Sequence, residues 1–345
     1  MLVDKDHQTT EVRQLRVAAF TSGDEVPGAR FRVRQYIPTL ARAGVVVTEH
    51  WPGLGGYPPR TRWLRPAWLM GSLAQRLPQL AMGWSADVTW LYREMLSTLV
   101  TFEGLTRRPR VLDIDDSVHL FRGGRTARRL ASLVDGVVVA NPFLAEVWRQ
   151  WTPNVEIFPM GIDTDVYKPT ALPEAAVIGW LGSPANIPYL ERIAPALGEV
   201  IRRFPRTTIA ICSQQRPDMD GVPFNYVPWS PAAERQFLAS LTIGLAPLDD
   251  TPWERGKFSY KMLQYMACGI PSVVSPVGVN ADILAQAQIG IAATKYEQWV
   301  EALSTILADR AVAEHLGATA RALAISDYSI GVLAPRLVAI FRRFI

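Results

Sequence analysis

The feature that most constrains this chain is an alternation of short apolar runs with helical or loop sequence that stops once and then begins again. The first series comprises LRVAAFT at 15–21, VVVTEH near 45, VTWLY near 88, RVLDI near 110 and GVVVA near 136. Short, continuously apolar runs read as strands buried on both faces, and strands alternating with helices read as parallel βαβ units. The segment 158–176, FPMGIDTDVYKPTALPEAA, is rich in Pro, Gly and Asp and breaks the pattern as a linker does. Beyond it the runs IGWLG near 178, TTIAICS near 207, FNYVPW near 224, IGLAPL near 243, PSVVSP near 271 and GIAAT near 290 resume the series. Helices are predicted over 187–204, 231–240, 259–268, 296–308 and 310–325, and an amphipathic stretch over 31–43 is stopped by Gly44.

The pattern predicts an α/β chain of two doubly wound, Rossmann-like domains facing each other across a cleft. A length of 345 residues fits two cores better than one. The expected boundaries are 1–168 for the first domain and 169–329 for the second. A terminal helix over 330–345, ending in Arg342 and Arg343, would return to the first domain. Ligands of such sheets bind beyond the carboxyl ends of the strands.

Charge and cysteine content narrow the setting. Residues 1–168 hold 21 Lys and Arg against 17 Asp and Glu, whereas the remainder holds 15 of each, so the excess of +4 lies in the first half. That suits a neutral or acidic partner there, and without a long basic run no nucleic acid is expected. Cys212 and Cys268 stand in apolar sequence with no pairing pattern and read as buried thiols of a reducing compartment. The polar N-terminus, MLVDKDHQTTEVRQ, has no apolar core of a signal peptide, and no apolar stretch reaches about 18 residues. A cytoplasmic chain is expected, able to lie on the inner face of a membrane.

The most specific stretch is 256–278, GKFSYKMLQYMACGIPSVVSPVG. Around it, in order, stand GARFRVRQYIPTLARAG near the start, RVLDIDDSVHL at 110, VVVANPFLAEVW at 137, PMGIDTDVYKP at 159, IGWLGSP at 178 and IGLAPL at 243. Together they resemble the family 4 glycosyltransferases, which have the GT-B fold, over almost the whole chain. The resemblance implies transfer of a sugar from a nucleoside diphosphate sugar, usually with retention and without a required metal or other cofactor. It places the nucleotide sugar on the second domain, at Gly182, Ser183, Lys257, Phe258, Lys261 and Gln264. The acceptor, an acceptor glycan, lipid-linked saccharide or small molecule, falls to the first domain.

The residues support this independently. Lys257 and Lys261 lie four apart and would share a helix face if the helix begins early enough, at a helix start whose free N–H groups suit a diphosphate. The family's pair of glutamates, eight positions apart, falls here on Gly256 and Gln264. An amide can still bond a ribose. Glycine cannot replace a carboxylate, although Glu254 stands two residues earlier. Gly179 to Ser183 directly follow a strand, where glycine permits close approach of a phosphate or sugar; a tight strand–helix turn reads the same way.

In the first domain Asp113, Asp115 and Asp116 end a strand, with His119 just beyond. Three carboxylates together are costly unless bound or paired. Acceptor handling by Asp115, Asp116 and His119, a metal site, and helix capping or pairing with Arg93 or Arg122 all remain open from sequence. Arg93 follows the strand VTWLY, while Arg30 and Arg34 follow the first strand. These three are candidates for the acceptor or a phosphate, or else form a solvated face.

Residues 51–85 contain four Trp, four Arg and no acidic residue. Trp and basic side chains favour a lipid–water interface, so a membrane surface is one expectation. The alternative packs Trp63 and Trp68 into the core, and prolines at 52, 58, 59, 66 and 78 argue against one long helix. Two rivals to transfer remain: a nucleotide-sugar epimerase of the same fold, and an inactive sugar-nucleotide-binding protein.

Overall fold

A computed structural model describes residues 14–23 and 26–345; the polar stretch 1–13 and residues 24 and 25 of the first turn lie outside the described residues. Two parallel six-stranded sheets organise the chain. The first contains β1 (Leu15–Phe20), β2 (Val45–His50), β3 (Val88–Tyr92), β4 (Arg110–Ile114), β5 (Gly136–Val139) and β6 (Val155–Ile157), in the order β2-β1-β3-β4-β5-β6. The second contains β7 (Val177–Leu181), β8 (Thr208–Ser213), β9 (Asn225–Pro228), β10 (Ile243–Ala246), β11 (Ser272–Val274) and β12 (Gly290–Ala292), in the order β12-β11-β10-β7-β8-β9.

Each order reverses direction once. In the first sheet the reversal lies between β1 and β3, paired in parallel from Val17 opposite Val88. In the second it lies between β7 and β10, where Ile178 pairs with Ile243. Crossovers there leave in opposite directions, so the strand ends open a crevice in which α/β sheets take their ligands.

Burial explains the strands. Every residue of β3, β4 and β5 is buried, which only a sheet covered on both faces demands. Around the second sheet, Ile178, Trp180, Ile209, Ile211 and Leu245 pack with Leu190, Leu197, Trp299 and Leu303 from the covering helices. Helix starts follow local capping. Asn141 and Ser230 accept hydrogen bonds from the backbone N–H of Leu144 and Ala233, ahead of Pro142 and Pro231 in the first turn.

By contact clustering, one compact unit comprises Leu112 and the described residues before it, Leu133–Gly136 and Ala334–Ile345; the other comprises Asp113–Ser132 and Val137–Leu333. Within the first, Phe341 of the terminal helix packs edge-on against Trp90 of β3, ring centres 5.2 Å apart.

Three local expectations are corrected. Residues 31–43 do not form one helix: Pro27–Arg32 and Ile37–Arg42 are separate helices joined by a 3-10 turn, Arg34–Tyr36, because Pro38 cannot donate within a continuous helix. The stretch 187–204 is likewise two helices, Ile187–Arg192 and Ala194–Arg203, with Pro195 in the first turn of the second. Conversely, the prolines of 51–85 do not prevent a long helix. Arg65–Gly83 is one helix of 19 residues, with Pro66 in its first turn, where no backbone donor is needed, and Pro78 inside it. Trp63 is 77% exposed and so is no core residue.

Candidate functional site

The reversal between β7 and β10 is where the structure gathers the residues expected to hold the donor. Gly182 and Ser183 follow β7; residues 247–259 follow β10 and lead into the helix Tyr260–Ala267. That helix starts late. Lys257 therefore lies in the preceding turn and does not share a helical face with Lys261, as a longer helix would have required. Its N-cap, Ser259, makes no side-chain cap bond, and no acidic residue stands in its first turn, although the N–H groups of Tyr260 and Met262 already donate to Phe258 O and Ser259 O.

Lys261 is the unusual group. Its ammonium is fully buried without a hydrogen-bond partner, 4.6 Å above the Trp180 ring. Burial, together with the nearby charge of Lys257, pushes it down to about 7. Gly182 makes this arrangement possible, since a Cβ there would meet the Trp180 ring at 2.4 Å. Tyr265 then ties the helix to the sheet: its hydroxyl accepts from Leu181 N at 3.2 Å and donates to Leu245 O at 3.3 Å.

Lys257 is held more openly. Its Nζ lies 3.4 Å from Asn186 Oδ1 and 3.6 Å from Glu254 Oε1, with the Tyr189 and Trp253 rings 5.4 and 5.5 Å away. Glu254 is buried and also accepts from the Thr251 and Tyr189 hydroxyls. Burial raises its carboxyl, but those two hydrogen bonds and Lys257 outweigh this and hold it below the ordinary value. The roles of Tyr189, Trp180 and Trp253 escaped the sequence reading, because an aromatic residue in a short strand or helix reads as core until the fold shows what lies over its ring.

Gly256 and Gln264 depart from the family's glutamates for visible reasons. A Cβ on Gly256 would fall 1.9 Å from Ser117 Oγ, which donates to Pro252 O at 2.8 Å. Asn141 Nδ2 donates to Gly256 O at 3.0 Å, so the position is closed from two sides. Gln264 is buried, and its amide donates to Glu234 Oε1 at 3.0 Å. Glu234 also accepts from the Tyr167 hydroxyl at 2.7 Å and Trp229 Nε1 at 2.9 Å. A carboxylate already stands there, and a glutamate at 264 would oppose it.

The aspartates lie in the same unit as these groups. Asp113 and Asp115 are buried and Asp116 is half-buried. His119 Nδ1 is buried without a hydrogen-bond partner, and burial lowers the imidazole below its ordinary value, favouring the neutral ring. Among the described residues no group of three or more His, Cys, Asp or Glu is placed to hold a metal ion. Phe258 is half-buried, its ring 6.4 Å from that of Tyr328.

In the other unit, Arg30, Arg34 and Arg93 flank the reversal between β1 and β3. Arg34 pairs with Glu49 at 2.8 Å and donates to Gly23 O at 2.8 Å. Arg30 stacks 4.8 Å from the Phe31 ring. Arg93 has φ of 59°, a costly conformation of the kind found where a site dictates the backbone.

Comparison with known proteins decides the reading of the second sheet, because residues 178–309 match the family model described as Glycosyl transferases group 1. Those residues are a glycosyl transferases group 1 domain. The chain is a glycosyltransferase with the GT-B fold. Sucrose-phosphate synthase from Thermosynechococcus elongatus superposes with a TM-score of 0.75 at 16% identity, over 96% of this chain and 99% of that one. Anabaena HepE in complex with UDP-glucose gives 0.70 at 13% identity, over 96% and 100%. WaaG, a glycosyltransferase involved in lipopolysaccharide biosynthesis, gives 0.66 at 15%, over 95% and 99%. A sequence search of curated proteins returned no match.

Proposed function

We propose that this glycosyltransferase moves a sugar from a nucleoside diphosphate sugar to an acceptor hydroxyl, with retention of anomeric configuration, in building a polysaccharide, glycolipid or other glycoconjugate. One observation carries the reading: a buried ammonium without a partner, Lys261, stands beside a second cation at an uncapped helix start. Burying a cation unpaired is costly, and a diphosphate relieves the cost with charge and hydrogen bonds at once. The HepE complex makes UDP-glucose the first donor to test.

The chemistry follows from where negative charge develops. As the bond between the sugar's anomeric carbon and the phosphate oxygen breaks, charge grows on the leaving diphosphate. Lys257, Lys261 and the positive end of the helix Tyr260–Ala267 stabilise it, while Gly182 and Ser183 let the backbone approach the donor. Phe258 packs beside this turn, and Gln264 steadies the helix from within through Glu234. The acceptor hydroxyl attacks the face that the diphosphate leaves and passes its proton to a departing phosphate oxygen. Asp115, Asp116 and the neutral imidazole of His119 orient that hydroxyl. Arg93 and Arg30 bind anionic groups of the acceptor, and Arg34, held by Glu49, shapes the loop after β1. Metal is not required in this scheme, since the two amines neutralise the diphosphate.

Isothermal titration with UDP, GDP, ADP and TDP tests the reading. One of the four should bind with measurable heat, and the heat should vanish in the Lys257→Ala, Lys261→Ala double variant. Silence with all four, or equal binding by the double variant, removes it.

A further inference from the structure

The helix Arg65–Gly83 is turned inside out. Ser72 and Arg76 are among its buried residues, whereas no exposed position from Pro66 to Trp84 carries a polar side chain. Trp63, Met70, Leu77 and Trp84 are 77%, 67%, 54% and 55% exposed. They stand seven residues apart: Met70 and Leu77 share one outward face of the helix, Trp63 lies in the 3-10 turn that leads into it and Trp84 is its C-cap. Soluble helices point their apolar face inward, so this stripe lacks a partner within the chain.

Its flanks identify the partner. The stripe begins and ends in Trp. Exposed Arg60, Arg62 and Arg65 surround the first, and exposed Arg107 donates to Trp84 O at 2.9 Å beside the second. Trp84 Nε1 donates to Leu105 O at 3.2 Å, which fixes the ring at the surface next to another exposed apolar side chain. Residues 51–85 contain no carboxylate. An apolar face about 28 Å long, bounded at both ends by indole rings and guanidinium groups, matches the layering of a bilayer surface: acyl chains below, headgroups and anionic charge at the rim. A second copy of the chain would bring arginine clusters against one another, which a like-charged rim opposes. No described helix is long and apolar enough to cross a membrane, so contact would be along the surface.

We infer that the outward stripe of Arg65–Gly83 docks on a bilayer containing anionic lipid. This surface is separate from the diphosphate pocket and stands or falls without it. Co-sedimentation of the full chain with vesicles of phosphatidylcholine and phosphatidylglycerol, against phosphatidylcholine alone, tests it, with the urea-denaturation midpoint as the measure of an intact fold.

The wild type should bind the anionic vesicles and be released by salt. The triple variant Arg60→Gln, Arg62→Gln, Arg65→Gln should bind on the order of a hundredfold more weakly, since each cation near an anionic surface is worth about a factor of five. The double variant Met70→Glu, Leu77→Glu should lose binding altogether. Trp63→Ser, in the turn before the helix and outside any core, should weaken binding about fivefold or more without altering stability. Equal binding to neutral vesicles, retention by the double variant, or a vesicle-free dimer abolished by that variant would each overturn the inference, the last in favour of a second copy.

Discussion

Two buried cations in this molecule are treated in opposite ways. Arg76, inside the first compact unit, donates to His50 O at 3.0 Å, Thr21 O at 2.6 Å, Met95 O at 2.8 Å and Gln79 Oε1 at 3.0 Å. Burial depresses it to about 10, partly opposed by Glu103. Lys261, inside the second, is half-buried along its stem, but its ammonium is out of solvent and donates to nothing. Burial alone does not separate a structural cation from a functional one; whether the charged group has partners does. Arg76 uses its two terminal amino groups, though not Nε, to hold carbonyls at the ends of β1, β2 and β3, and Lys261 keeps all of its donors for something that arrives.

The strongest attack on this contrast is removal of the free amines. Lys261→Ala should lower kcat/KM by about a hundredfold to a thousandfold, and the double variant with Lys257→Ala by about ten-thousandfold, as loss of groups that stabilise developing charge does. Stability by urea denaturation should be nearly unchanged. Comparable turnover in the double variant would make Lys261 merely a strained lysine.

The second attack exchanges the readouts. Arg76→Met strands several buried carbonyls and should cost about 3 kcal/mol or more in urea denaturation, while the protein that remains folded binds diphosphate normally. Lys261→Met, roughly matched in shape, should be neutral or stabilising, because it removes an unpaired buried charge. If Lys261→Met destabilises as much as Arg76→Met, the distinction is lost.

The smallest effect is on pH. Lys261 titrates near 7 in the fold against an ordinary lysine value of 10.5, so the unfolded chain binds the extra proton between those values. Its cost to stability is therefore fully present below about 7 and fades as pH rises towards 10.5. Diphosphate binding runs the other way, since the ammonium is the binding form: affinity should fall about tenfold between pH 7 and 8.5, measured by titration calorimetry, and Lys261→Met should flatten that slope.

The sequence announced much of this frame. Eleven of the twelve strands stand on apolar runs that could be read directly; β6, three residues long, was too short to leave a period. Lys257, Lys261 and Gln264 stood out because the segment around them resembles a known family. What stayed hidden were consequences of folding rather than spacing. Trp180 beneath Lys261 is visible only once Gly182 makes room for it, and Ser117 against Gly256 joins positions 139 apart in the chain. The prolines of 51–85 were misleading because a proline's effect depends on its place in the helix, which the sequence does not fix: Pro66 falls in the first turn, where it suits a helix start.

A pocket whose inner amine is pushed down to about 7 discriminates before any sugar is recognised. A guest with little negative charge cannot draw a proton onto Lys261 and meets a weak trap, whereas a pyrophosphate recruits the missing charge as it enters. Occupancy is thereby coupled to proton uptake from solvent, and the empty enzyme carries less standing attraction for the many small anions around it.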